Sequence, residues 1–296
     1  MAFKAWEDLT ISDDYLFKRI MLQEEICQQF LEMLLGVNIR EIRYLDSEKS
    51  IKPGYASKAV RLDVYVEDEK NTVYDVEMQV APLGSHTLER RTRYYQSMLD
   101  ADLLAAGADY DALNQSIIIF VCQFDPFGRG RHIYTFANRC EEEPGLLLGD
   151  GASKIFLNTQ GTAEDVSEDL RAFLAYINGK LTGNPFVQLV DAAIRKLKTK
   201  EQERLNYMTW EIKLDEMRKR GLAEGRAQGL EEGRLEGQAE GRKEGMKEGM
   251  KEGIKKTARI VRTLLTRKMS YEEIAAYEGT SIDEVRRIAE EAGIAY

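Results

Sequence analysis

Two short segments of this 296-residue chain carry hydrocarbon on one side and acid on the other. In residues 60–67, Leu62, Val64 and Val66 alternate with Arg61, Asp63, Tyr65 and Glu67. In residues 72–80, Tyr74, Val76, Met78 and Val80 alternate with Val73, Asp75, Glu77 and Gln79. A period of two predicts strands, and the acidic turn between them predicts a hairpin. Centring that turn on Lys70 sets Val64 against Val76, Leu62 against Met78 and Val66 against Tyr74, so the apolar faces match without a slip. The same register sets Asp63 opposite Glu77, with Cβ atoms about 4.5–5.5 Å apart, where like charges destabilise a sheet. Two arrangements relieve that repulsion. Either the polar face is fully solvated, or a hard cation takes oxygen ligands from both carboxylates. Gln79 lies on the same face, opposite Arg61.

The rest of the composition narrows the chemistry. Two histidines, His86 and His132, exclude His-paired zinc sites. Cys27, Cys122 and Cys140 are odd in number and lack close pairing, which argues for a reducing compartment and against a disulfide framework. Cys27 and Cys122 fall in apolar patterns and are expected in the core. His132, between Arg131 and Ile133, reads as a loop histidine. The net charge of −9 falls almost wholly on the first 220 residues and excludes a generally basic nucleic-acid coat, so any phosphate binding must be local or metal-assisted. The opening MAFKAWEDLT has no apolar stretch of the signal-peptide kind, and the longest apolar run, residues 117–122, is too short to span a bilayer. A soluble, cytoplasmic protein without membrane contact is expected.

The elements that must position the hairpin follow from spacing. Tyr15, Leu16, Ile20, Cys27, Phe30, Leu31, Leu34 and Leu35 lie broadly along one stripe and predict a helix over residues 13–35, ended by Gly36. Residues 39–45 predict a strand and Lys52-Pro53-Gly54 a turn. A helix is expected over 85–104, strands over 116–122, 131–136 and 154–157, and a helix over 163–177. From Pro185 the pattern is helical only, with Phe186, Leu189, Val190, Ala193, Ile194 and Leu197 at helix spacing. Glycine then recurs every fourth residue from Gly221 to Gly253, usually preceded by Glu. Each glycine costs a helix roughly 1 kcal/mol relative to alanine, so an isolated helix here should be marginal. The segment reads as a charged spacer or as a self-association helix. Beyond it, Ile260, Val261, Leu264 and Leu265, the capping sequence Ser270-Tyr271-Glu272-Glu273 and a last helix after Ser281 predict three short helices. Acidic residues on the last helix favour protein docking over major-groove reading. The expected division is a mixed α/β domain over 1–184, a helical extension over 185–220, a repeat spacer over 221–256 and a small module over 257–296.

The order LDVYVEDEKNTVYDVEMQ, after the opening DDYLFKRIM and FLEMLLG, resembles the PD-(D/E)XK nuclease superfamily. More closely it resembles the Rpn family of recombination-promoting nucleases, also described as transposases. Asp14, Phe17 and Lys18 match that family's opening motif, Asp63 its motif aspartate, and Glu77-Met78-Gln79 its (D/E)-x-K position. Arg90, Tyr94, the Gly107 to Tyr110 segment and the glycine repeat fit as well. The resemblance implies a restriction-endonuclease-like mixed sheet flanked by helices and a DNA endonuclease acting in recombination, mobile-element activity or defence. Asp63, Glu77 and the main-chain carbonyl of Met78 would hold Mg²⁺ or Mn²⁺, and Gln79 would orient the attacking water. Gln79 stands where the wider superfamily has lysine, so it can hydrogen-bond water but supplies no charge. Asp14, Glu24 or Glu25 could add an outer carboxylate. Arg90 and Arg93, at i and i+3 on the following helix, could grip phosphate or form a solvated helix face. The C-terminal helices imply a homo-oligomer. The alternative reading is a catalytically inactive nuclease-like interaction protein.

Overall fold

Alternation on both faces of each strand decides this architecture. The computed structural model describes residues 4–46, 50–51, 60–291 and 293, apart from the side chains of residues 45, 46, 50, 60 and 61. The turn expected at Lys52-Pro53-Gly54 and the Arg61 side chain lie outside the described residues. Helices α1 (Asp14–Met21) and α2 (Glu24–Leu35) lead into β1 (Ile42–Asp46), and the short strands β2 (Ser50–Ile51) and β3 (Val60–Arg61) pair with each other. Then come β4 (Val64–Asp68), β5 (Val73–Gln79), α3 (Thr87–Leu103), β6 (Ser116–Cys122), β7 (Ile133–Ala137) and β8 (Ala152–Asn158). Helices α4 (Glu168–Ile177) and α5 (Pro185–Lys198) follow.

The six-stranded sheet runs β1-β4-β5-β6-β8-β7, with β5, β6 and β8 parallel and the other pairings antiparallel. It is the mixed, helix-flanked sheet of a restriction-endonuclease-like α/β fold. The hairpin register follows apolar matching at Val64 against Val76 and Val66 against Tyr74. Leu62, expected opposite Met78, lies past the end of that pairing and packs in the α3-side core, whereas Met78 packs in the other. Val64, Val66, Tyr74, Val76, Met78, Ile119, Val121, Ile155 and Leu157 pack with α1, α2, α4 and α5. Tyr65, Val73, Ile118, Phe120, Cys122 and Phe156 pack with Leu88, Tyr95, Met98 and Leu99 of α3. Both faces of the sheet are therefore covered, as its parallel centre requires. The solvated hairpin face that the sequence left open is not what the fold contains, because α3 crosses over it.

The helix expected over residues 13–35 is two helices. Gln23 takes an extended conformation and starts α2 afresh, and the left-handed Gly36 (φ +67°) closes it. Cys27 and Cys122 are buried as expected, and burial pushes both thiols up to about 12. His132 is buried too, with Nδ1 2.7 Å from the Ala163 carbonyl and 3.2 Å from Asp165. Its ring lies against Gly161, where an added Cβ would stand 2.6 Å from the imidazole and 2.8 Å from the His132 backbone. A Gly161→Ala substitution is expected to destabilise the protein by about 1–3 kcal/mol through this overlap. A thermal melt within 1 °C of wild type, an interval of about 0.2–0.5 kcal/mol for a chain of this size, would contradict it.

Contacts divide the chain into two compact units, residues 1–211 and 212–296. Helix α6 (Glu201–Thr266) runs through the boundary and includes every glycine of the four-residue repeat, all facing open space. The repeat is continuous helix within the chain. Packed segments at both ends supply the nucleus that an isolated repeat lacks. In the second unit, Val261 and Leu265 of α6 pack with Ile274 and Ala275 of α7 (Tyr271–Glu278) and with Val285, Ile288 and Ala289 of α8 (Ile282–Glu291). Ser270 and Glu273 form the capping box that opens α7.

Candidate active site

Asp75, Glu77 and Gln79 fall on the α3 side of β5 because every second residue must. Next to them the chain between β3 and β4 leaves the ladder at Leu62 and Asp63. That break turns the Asp63 backbone N–H onto Glu77, donating to Oε1 at 3.2 Å. The two carboxylate residues singled out from the sequence are thus neighbours. Gln79 stands one strand repeat further along, its Nε2 donating to the Ala81 carbonyl at 2.6 Å. Met78 turns its side chain into the opposite core, so only its main chain is on offer to this site.

Helix α3 contributes Arg91. Its Nη2 donates to Glu77 Oε2 at 2.5 Å and to the Tyr95 hydroxyl at 2.7 Å, and its Nη1 donates to Gln79 Oε1 at 3.0 Å. Arg90 and Arg93 lie on the exposed side of the same helix. Helix α1 contributes Lys18, which is 8% exposed and whose Nζ lies 3.5 Å from Asp63 Oδ1. Lys18 brings from another element the positive charge that Gln79 does not supply. Of the three helix carboxylates open from the sequence, Asp14 is the one whose charge bears on Asp63, whereas Glu24 acts on Tyr44. Glu25 belongs to α2 with Glu24.

Helix α1 is held from its far side. The buried Glu203 carboxylate of α6 accepts from the Tyr15 hydroxyl at 3.2 Å and from Arg19 Nε at 2.9 Å, with Arg19 Nη2 closing the pair. Trp6, Tyr15, Tyr207 and Trp210 pack as an aromatic cluster around this clamp. The residues that flank Asp14 and Lys18 are therefore fixed by the start of the long helix.

The electrostatics are those of a crowded acid cluster. Burial pushes the Asp63 carboxyl up to about 6, helped by Asp14 and opposed by Lys18 and Arg91. Glu77 is held well above the usual carboxylate range by burial and then by Asp75 and Asp63. Asp75 is raised well above it by burial and then by Asp63. Asp75 is fully buried, and neither of its oxygens has a hydrogen-bond partner among the described residues. A carboxylate whose folded pKa exceeds its unfolded value contributes stability below the unfolded value. That contribution is lost as pH rises through the folded one. For Asp63 the window runs from about pH 4 to about pH 6. In EDTA, the urea midpoint of Asp63→Asn relative to wild type is expected to climb across that window and level off above it. A difference that does not change with pH would contradict the assignment.

The cluster suits a hard divalent cation: its donors are carboxylate oxygens, and the two of Asp75 are buried without a hydrogen-bond partner among the described residues. Among the described residues, however, no three candidate ligands are drawn up as a ready cage. Both Glu77 oxygens are already engaged, one by the Asp63 N–H and one by Arg91.

Sequence reading singles out neither Asp75 nor Arg91 and matches Lys18 to the opening motif without a role, yet each leaves a signal. Asp75 is in phase with Glu77. Lys18 lies among Phe17, Ile20 and Met21, all buried. Arg91 lies three residues after Leu88 and four before Tyr95, both buried, so it belongs to the inner stripe of α3.

A family model described as PD-(D/E)XK nuclease family transposase matches residues 11–165, which span α1 through β8 and hold every residue of this cluster. No curated protein and no solved structure matches the chain.

Proposed function

The chain belongs to the PD-(D/E)XK nuclease family transposases, and on that premise we propose that it is a Mg²⁺- or Mn²⁺-dependent DNA endonuclease. It would hydrolyse phosphodiester bonds in DNA recombination, mobile-element activity or defence, in the cytoplasm. The observation that carries this reading is the convergence of Asp63 and Glu77 at a break in the sheet, beside a buried lysine from one helix and a partly buried arginine from another. Asp63, Glu77 and the Met78 carbonyl would hold the ion, which supplies a polarised phosphoryl oxygen and a water of lowered pKa. Gln79 would orient that water through its amide. Lys18 places positive charge beside Asp63, where negative charge builds up on the phosphoryl group. Among the described residues, no helix is long and apolar enough to cross a membrane.

One observation favours the non-catalytic alternative: Glu77 is closed off by Arg91. A thermal-shift titration separates the two readings. Mg²⁺ or Mn²⁺ should raise the melting temperature of an enzyme with concentration, and should leave an inactive fold unmoved.

The functional division proposed is a nuclease domain over 1–184, a helical extension over 185–220, a spacer over 221–256 and a module over 257–296. The apolar stripe of the module is covered by α7 and α8, so self-association must use other surface. Tyr277 of α7 and Ile282 of α8 are exposed apolar side chains of the module that support it. Deleting residues 257–296 is expected to lower the mass seen in light scattering, and an unchanged mass would remove the module from the assembly.

A further inference from the structure

The Arg91 guanidinium touches both Glu77 and Gln79. The pair it makes with Glu77 is desolvated on the acid side, where Glu77 is 1% exposed. The arginine side keeps contact with solvent, its side chain being 31% exposed. Beneath the guanidinium lie the rings of Tyr95, at 4.8 Å, and Phe120, at 5.3 Å. A cation stacked on aromatic faces can change its hydrogen-bond acceptor without leaving its seat. The planar fork of arginine matches a carboxylate and a phosphate equally well.

A divalent cation at Glu77 must compete with that fork. The Glu77 oxygen held by Arg91 is not accessible to such a cation until Arg91 lets go. The freed guanidinium then lacks an anion, and a phosphodiester brings one.

We propose that Arg91 is a resident counter-cation that neutralises Glu77 in the metal-free protein, yields its oxygen to a divalent cation and then binds a non-bridging phosphate oxygen of the nucleic acid. This rests on the reading that Asp63 and Glu77 hold the metal. It makes metal binding and phosphate binding successive uses of one acid-base pair, so metal and Arg91 compete while metal and DNA cooperate.

The test is calorimetric titration of the full chain with Mn²⁺ alone, comparing wild type, Arg91→Gln and Arg91→Lys. Removing the competitor should tighten Mn²⁺ binding about tenfold in Arg91→Gln, as one buried charge pair less to break implies. Arg91→Lys, with a single-point charge, should lie between the two and covers the case in which the Gln variant does not fold. In parallel, anisotropy with a labelled phosphorothioate duplex, chosen to slow cleavage, should show Mn²⁺ strengthening DNA binding in wild type and not in Arg91→Gln. Mn²⁺ affinity equal to or weaker than wild type in the folded variants would overturn the proposal. Wild type taking up no Mn²⁺ at all would instead overturn the metal-site reading, and this proposal with it.

Discussion

Asp63→Asn is expected to make the metal-free protein more stable while removing its nuclease activity. The side chain keeps its shape and loses its charge. In the folded protein that charge is disfavoured by burial and by Asp14, which together push the carboxyl up to about 6. Above that pH the neutral amide avoids a penalty on the order of 1–3 kcal/mol, and Lys18 is not left uncompensated because its charge also bears on Asp75. Cleavage should fall by roughly 10²-fold or more, because one of the two carboxylates proposed to anchor the cation no longer attracts it. The stabilisation conferred by Mg²⁺ should shrink in step. Opposite signs for stability and activity distinguish a site residue from a structural one. Urea denaturation in EDTA at slightly alkaline pH, beside a cleavage assay, reads both. A variant that is less stable and equally active would count against the assignment.

Lys18→Met carries the second large effect, with both signs negative. Lys18 is a nearly buried cation facing an acid cluster, and methionine matches its length without its charge. Removing one partner of a buried pair leaves the other uncompensated, at a cost of about 3 kcal/mol. Cleavage should drop by about tenfold or more, since the positive charge near the phosphoryl group is lost and Gln79 cannot replace it. Placed on an Asp63→Asn background, the same substitution should cost much less stability, because its partner is already neutral. Equal destabilisation in both backgrounds, measured by the same urea titrations, would show that Lys18 serves packing and not the charge of Asp63.

Much of the frame was legible in residue spacing. Apolar matching set the β4–β5 register that the structure contains, and the continuous run at residues 116–122 coincides with β6. Pro185 opens α5 at its first turn, with Asn184 as the cap. The family resemblance, read from the order of short motifs, agrees with the match over residues 11–165. What escaped is tertiary. Nothing inside the hairpin says that α3 will cover its acidic face, so solvation remained open until α3 was in place. The split between α1 and α2 is hidden because the apolar stripe continues through Gln23. Arg90 and Arg93 stood out as a spaced pair, yet the residue between them lies on the inner stripe with Leu88 and Tyr95. Charged residues on buried stripes are the informative ones, because burying them without a partner is costly.

The central claim, that Asp63 and Glu77 form the metal-dependent cleavage centre, is tested most directly with supercoiled plasmid. Purified full-length protein and its Asp63→Asn variant are incubated with Mg²⁺, with EDTA controls. Nicked or linear product is expected from wild type only with Mg²⁺, and almost none from the variant under the same conditions. Cleavage by Asp63→Asn at the wild-type rate at saturating Mg²⁺, or wild-type cleavage unaffected by EDTA, would contradict it.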